Sequence, residues 1–370
     1  MAEPQHYARE LPTDIEQVPM VWRYELLKHL RSRRLYGSLG IVVLVVSLIY
    51  LVPPLTGNPY SGTDKDTKLF VNDPHALGIS IPGLQLSNGV AFVNRSVIVQ
   101  NSLELFLDGS PYSSGSGANW TFATLTFHGQ NVNVIFFMQN TTGHVVTANY
   151  HWHRTSQQFA TGFVSFASFL IIICATFFGA DAIVSEYQAR TGYLIFPNPI
   201  KRMSVFLGKF GASMTAGMMV VILYYAAMGI LSIVSVNGLS KHFFLSLAFA
   251  LEYLLATMAV AYLISSVLKG TVGAIVLTFF LFLLILPIID GVGSVSGFKS
   301  WWSLSFTGGT IVDVLSSPYP TDSVTTPPGT GITFHSYVPD PTLSAIVMLG
   351  YVVIAGAISV FLFIRKEMLG

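Results

Sequence analysis

SEYQARTGYLIFPNPIKRMSVFLGKF, residues 185–210, places Glu186, Arg190, Lys201, Arg202 and Lys209 between two long apolar runs. Charged residues make up only 10% of the 370-residue chain, so this concentration marks a connector with a purpose. Pro197 and Pro199 lie two apart just before a basic pair. Proline removes a backbone donor and restrains the residue before it, so a helix entering this stretch stops there and the chain turns back.

The runs on either side are of membrane grade. Hydrophobic residues make up 52% of the composition, and a bilayer core of about 30 Å needs roughly 20 consecutive apolar residues. Six such runs are read, at about 36–55, 158–182, 205–235, 243–268, 270–290 and 341–364; Lys269-Gly270 alone separates the fourth from the fifth. The first follows a charged leader of some 35 residues and precedes Pro53-Pro54 rather than a small-residue cleavage site, so it is expected to be a retained span.

Basic residues orient the spans. With the N-terminus inside, the cytoplasmic side holds Arg9, Arg23, Lys28, Arg31, Arg33, Arg34, Arg190, Lys201, Arg202, Lys209, Lys269, Arg365 and Lys366, which is thirteen of the 19 Lys and Arg. Both termini are then cytoplasmic. Three N-x-S/T sequons, at Asn94, Asn119 and Asn140, cluster between the first two spans, where this topology expects the exterior; they are the glycosylation candidates. The single cysteine, Cys174, lies in a span, so no disulfide braces the exterior.

The exterior stretch 56–157 alternates β-branched and aromatic residues with polar ones, as in NWTFATLTFHG and QNVNVIFFMQN, with Gly, Asn, Ser and Pro at the breaks. That pattern predicts a small extracellular β-sandwich-like domain. Its few charges fit either an acidic exterior or a glycan-covered surface. The other long exterior stretch, 291–340, sets Trp301-Trp302 where an interfacial anchor sits, with short helices at or dipping into the outer face. At the other end, residues 21–37 read as a basic interfacial helix, with Trp22, Leu26 and Leu30 on one side and Glu25, Lys28 and Ser32 on another.

The fold class is therefore a mainly α membrane protein with six transmembrane helices and an inserted β domain. Its organisation runs as an N-terminal segment 1–35, helix 1 at 36–55, the exterior domain 56–157, helices 2–5 over 158–290 with a cytoplasmic segment 183–204, an exterior loop 291–340, and helix 6 with its tail at 341–370.

The connector resembles that of ATP-binding-cassette (ABC) transporter permeases of the type-2 exporter class. In that class the second span ends in an Asp and a Ser/Gly-Glu pair, followed by Gly-Thr, Pro-x-x-Arg and Gly-Lys. The matching residues here are Asp181, Ser185-Glu186, Thr191-Gly192 in reversed order, Pro199 to Arg202, and Gly208-Lys209. The large exterior insertion departs from compact members. The resemblance implies a permease working as a dimer, as a homodimer or with a related half, in the plasma membrane. It also implies a separate ABC ATPase subunit, which binds ATP and Mg and is contacted through a short coupling helix. Glu186, Tyr187, Arg190, Tyr193, Leu194, Pro199 and Arg202 are the coupling candidates. The apolar members fill a groove in the partner, and Glu186 and Arg190, four apart, support each other on the helix.

No G-x-x-x-x-G-K-[ST] occurs in the chain, and Gly208-Lys209 runs on into Phe210, so no ATPase and no cofactor of its own is expected. Nothing indicates nucleic-acid binding; membrane lipid is the remaining partner. His151 and His153 sit two apart on one strand face, without acidic or cysteine company, and read as a polar patch rather than a metal site. Glu252 falls near mid-bilayer, where a carboxyl is costly unless it faces protein or water. It is the candidate for the transport pathway. Two other readings remain open at this point: a multi-span surface protein whose β domain binds a ligand or the envelope, and an ion- or proton-coupled carrier using Glu252.

Overall fold

Among the described residues, six helices are long and apolar enough to cross a membrane: Arg33–Leu55, Ser156–Phe178, Arg202–Val236, Phe243–Val267, Thr271–Ser296 and Pro341–Arg365, here spans 1 to 6. The computed structural model describes residues 14–56, 59–72, 90–93, 97–99, 102–112, 120–127, 130–137, 141, 144–188, 202–325 and 333–365. By packing, the chain falls into two units. One comprises Met1–Ser47, Phe163–Met228 and His242–Gly370, the other Leu48–Gly162 and Gly229–Lys241.

Span 4 is the axis of the first unit, packed against spans 2 and 6. Small residues allow that approach: Ala250, Ala256, Ala259, Ala261, Ser246, Thr257 and Ser265 are all buried along it. Without a hydrophobic drive between helices in lipid, such close backbone packing is what holds spans together. Span 4 ends at Val267 and the next helix starts after Gly270, at the Lys269-Gly270 break. Span 5 carries a π-helical stretch at Leu281–Ile285 just before Pro287, whose missing N–H breaks the regular ladder. Gly297 ends this span in the left-handed region at φ 76°, which glycine alone adopts without cost.

Beyond Gly297 the chain turns into the bundle. Asp290, near the end of span 5, accepts hydrogen bonds from Ser300 Oγ (2.6 Å) and Ser303 Oγ (3.1 Å). Short helices Leu304–Gly308 and Thr310–Asp313 follow. They climb along span 4: Gly308 lies against the Tyr253 ring, and Ser246 Oγ donates to Ile311 O at 2.6 Å. Thr310 Oγ1 donates to Ser344 Oγ of span 6 at 2.9 Å. Tyr253 is ten residues from the start of span 4, about 15 Å at 1.5 Å per residue. The 298–311 segment thus lies about halfway along span 4 at Gly308, and Trp301 and Trp302 share a cavity wall with Val260 and Leu263, further along the same helix.

The N-terminal helix covers Asp14–Leu30 and ends there, because Ser32 Oγ takes the Leu35 N–H and begins a new helix. Its polar side departs from the sequence reading at Glu25, while Lys28 is exposed as read. Glu25 is buried, whereas Tyr24 and Leu27 are exposed.

In the second unit, strands β1 to β9 span Ser61–Leu69, Val71–Asn72, Val90–Val93, Val97–Ile98, Glu104–Leu107, Ser110–Tyr112, Trp120–Phe127, Gln130–Phe137 and Val146–His153. They form two antiparallel sheets, β1-β9-β5-β6 with β4 also on β9, and β2-β3-β8-β7. Strand β9 alternates strictly: Val146, Ala148, Tyr150 and Trp152 enter a core shared with Ile135 and Phe137 of the other sheet. Its outward positions include His151 and His153. His151 Nδ1 meets Thr63 Oγ1 at 2.6 Å, His153 Nδ1 meets Arg154 O at 3.0 Å, and no cluster of metal-ligating residues occurs among the described residues. Tyr60 ties this unit's strands to its helical ends. Its ring stacks on Tyr50 and packs edge-on to Phe159, and its hydroxyl donates to Ile49 O at 2.6 Å.

Candidate functional site

The motif residues flanking the connector converge on one end of the span bundle. Asp181 follows span 2, and both its carboxylate oxygens are taken by Arg34 at the base of span 1, at 2.7 and 2.6 Å; Arg34 also donates to Phe177 O at 3.1 Å. A bidentate guanidinium–carboxylate pair fixes orientation as well as distance. The short helix Val184–Gln188 then begins on span 4, where Ser265 Oγ accepts the N–H groups of Ile183 (3.0 Å) and Val184 (3.1 Å).

Glu186 of that helix meets Lys209 of span 3. Lys209 Nζ donates at 2.7 Å to Glu186 Oε1 and at 2.7 Å to Glu25 Oε1 of the N-terminal helix. Lys209 is 4% exposed and Glu25 6%, so this ion cluster is out of water. Lys28, on the rim, adds a 3.4 Å contact to Glu25. A buried charge set of this kind gains little net stability as a whole, but removing one member strands the others.

Gly208 explains why the N-terminal helix gets so close. A Cβ there would lie 2.6 Å from Val21 Cβ, so only glycine admits this helix. Two turns on along span 3, Trp22 Nε1 donates to Thr215 Oγ1 at 3.1 Å. Gly208 makes room for the helix and Lys209 pairs its carboxylate; the Gly-Lys dipeptide has a job in each residue.

Beside the ion cluster lies a polar cavity of about 270 Å³, lined by Glu25, His29, Arg34, Asp181, Lys209 and Tyr262 among others. Ser213 Oγ links its back wall. Its one hydrogen goes to Phe178 O at 2.8 Å, so Tyr262 Oη at 2.8 Å and His29 Nε2 at 3.3 Å must both donate to it. His29 is thereby the Nε2–H tautomer, with its ring edge-on to Phe178.

The family model described as ABC-2 family transporter protein matches residues 20–368. The chain belongs to that family. No curated protein matches it in sequence. As an ABC-2 transporter permease with six apolar helices, it is a multi-pass plasma membrane protein. Members of this family associate in general with an ABC ATPase subunit.

In this ABC-2 permease the predicted coupling residues divide between seen and unseen. Glu186 sits in the ion cluster, and Arg202 Nη1 donates to Ile364 O of span 6 at 2.8 Å. The described backbone places Tyr187 on the Val184–Gln188 helix. Arg190, Tyr193, Leu194 and Pro199 lie outside the described residues, as do the sequons at Asn94, Asn119 and Asn140. Glu252 sits half-buried on the face of span 4 that also carries the exposed Phe244 and Leu245, and it has no hydrogen-bond or ion-pair partner among the described residues. Sequence reasoning named Glu25 and Arg34 only as a helix-face residue and a topological charge, not as partners of Lys209 and Asp181, and it passed over His29, which lines the same cavity.

Burial lowers the His29 pKa from 6.5 to about 4, helped by the neighbouring Lys28 and Lys209, with Glu25 and Asp181 opposing. The imidazole is therefore neutral in the fold at pH 7. Because protonation is favoured in the unfolded chain but not in the folded one, stability is full above about pH 6.5 and falls as pH drops towards about 4. At 1.36 kcal/mol per unit the whole window is worth about 3 kcal/mol. Thermal melts of the detergent-solubilised protein across pH 7 to 4 are expected to show this loss, and His29→Gln is expected to flatten it relative to the parent.

Proposed function

We propose that this chain is the membrane-spanning permease subunit of an ATP-driven exporter. It works as a dimer and draws its drive from a separate ATPase through the 183–204 segment. The N-terminal helix, the ion cluster and both termini are cytoplasmic in this reading, and the β-rich unit is extracellular and carries the sequons. ATP and Mg belong to the partner; the chain itself performs no catalysis.

The supporting observation is how firmly the two ends of that segment are tied down. On one side Ser265 holds the start of the Val184–Gln188 helix, and Glu186 is ion-paired to Lys209. On the other, Arg202 bonds the last turn of span 6. A segment fastened to spans 3, 4 and 6 at its ends can pass a push from a partner into the bundle instead of absorbing it. Glu186 thus braces the segment rather than meeting the ATPase, and the apolar Tyr193 and Leu194 are left as the docking groups. Positive-inside charge distribution supports the orientation, and the family supports the partner.

The test is copurification of the ATPase. Burying one such side chain contributes roughly 1.5–3 kcal/mol, so the double change Tyr193→Ala with Leu194→Ala is expected to weaken the complex by about 100-fold or more. Lys201→Ala, a charge explained by topology, is expected to leave it intact. A double variant that holds its ATPase and transports like the parent would sink the coupling role.

A further inference from the structure

A second cavity, of about 470 Å³, opens under the turn that follows span 5; Leu263 of span 4, Trp301, Trp302, and Gly350, Tyr351 and Ala355 of span 6 form much of its wall. Its volume lies within the range of pockets that take a small-molecule ligand. Its depth follows from the climb of residues 302–311 along span 4, and from the middle of span 6, which supplies the opposite wall. The lining is largely apolar and lies against the middle of span 6, a helix long enough to cross a membrane.

The wall is not wholly apolar. Trp301 and Trp302 bring indole N–H groups and Tyr351 a hydroxyl, and none of the three side-chain donors has a hydrogen-bond partner among the described residues. Buried or membrane-embedded Trp and Tyr ordinarily find a partner for that polar end, and nothing in hydrocarbon supplies one. Gly350 adds a further clue. A Cβ there would meet nothing within 4 Å, so the wall is hollowed at the one residue without a side chain.

We infer that this cavity binds an apolar small molecule bearing a carbonyl or ether oxygen, taken up from the bilayer, with that oxygen accepting from Trp301, Trp302 or Tyr351. A bulk lipid acyl chain fits the apolar wall but offers only methylenes at this depth, since its ester oxygens stay near the surface. A ligand with an internal acceptor satisfies both the wall and the donors. The inference stands whether or not ATP drives the chain.

Benzophenone is a suitable probe, being an apolar ketone that labels nearby C–H bonds under light. The full chain in nanodiscs is expected to show saturable labelling, mapped by mass spectrometry to residues 347–355 and to Trp301-Trp302. Gly350→Leu, which adds bulk only to open space, is expected to cut that labelling at least tenfold. Diphenyl ether is expected to compete at least fivefold better than diphenylmethane, which has the same shape without the acceptor. Tyr351→Phe together with Trp301→Phe and Trp302→Phe, which removes all three donors, is expected to erase that preference. Labelling that rises linearly with probe and ignores Gly350→Leu would overturn the inference in favour of ordinary lipid contact. Cross-links joining two copies at this wall, with no saturable site, would overturn it in favour of an interface. Equal competition by the ether and the hydrocarbon would remove the acceptor from the proposal.

Discussion

Lys209→Met is expected to be among the most damaging single changes in this protein. It removes the ammonium that Glu25 and Glu186 share at 2.7 Å each, and it leaves two carboxylates in a site where Glu25 is 6% exposed. Lys28 does not replace it, standing 3.4 Å from Glu25 and 3.9 Å from Glu186 with its side chain mostly in solvent. Breaking a buried ion set by removing one partner costs about 3–5 kcal/mol. That is a large share of the 5–15 kcal/mol by which a typical domain is stable. The expected result is a strongly lowered melting temperature for the solubilised protein. Neutralising the whole set, Lys209→Met with Glu25→Gln and Glu186→Gln, is expected to recover most of that loss, because no charge is then left stranded. The two variants separate stability from drive. Under the proposed function the neutral triple folds but transports poorly, since Glu186 no longer braces the segment that meets the ATPase. A Lys209→Met protein that melts with the parent would show that the cluster is hydrated and unimportant.

The six spans could be read from sequence because each must satisfy its own backbone in lipid, and that demand writes a long apolar run into the chain. Even the weak Lys269-Gly270 cue marks a real break. Strands such as Trp120–Phe127 announce themselves by alternation. Strand β1, SGTDKDTKL, does not: it is a polar edge strand that, among the described strands, pairs with β9 alone. Its register slips between Asp64 and Thr67, with Asp66 at φ 50° and its N–H taken by Asn149 Oδ1. A strand with no apolar side and a bulge in its middle looks like a loop in sequence.

The ion cluster was half legible. Asp181, Glu186, Gly208 and Lys209 stood out as a motif, but Glu25 and Arg34 lie more than a hundred residues away in sequence, and no local pattern links them. Lys209 was explained by the positive-inside rule, and that explanation hid its burial. The signal was nevertheless present. Lys209 is eight residues into a helix that continues apolar, and a charge so placed requires a partner. The placement of Trp301 and Trp302 left less trace, because a tryptophan pair at a membrane surface and one lining a cavity have the same composition. Only the contacts of Ile311 and Gly308 with span 4 set the course of that segment.

Gly208→Ala tests the same junction from the backbone side. In a helix interior, alanine is ordinarily better than glycine by about 1 kcal/mol, and Gly273→Ala in span 5, where a Cβ meets nothing within 4 Å, is expected to follow that rule. At Gly208 the sign reverses. The new methyl would lie 2.6 Å from Val21 Cβ and Cγ1 and 3.1 Å from Trp22 N, so the N-terminal helix must move outward. Overpacking of this sort costs about 1–3 kcal/mol, and the displaced helix takes with it the Trp22–Thr215 hydrogen bond and the Glu25–Lys209 pair. The expected outcome is a lower melting temperature together with faster hydrogen exchange over residues 14–30. Val21→Gly deletes the two atoms that clash. It destabilises the parent through helix propensity and lost packing, but is expected to be far less harmful when Gly208→Ala is present. That favourable coupling between the two changes, read as a double-mutant cycle, identifies direct contact as the cause. If Gly208→Ala instead behaves like Gly273→Ala, the N-terminal helix is not seated on span 3, and the buried pairing of Glu25 with Lys209 falls with it.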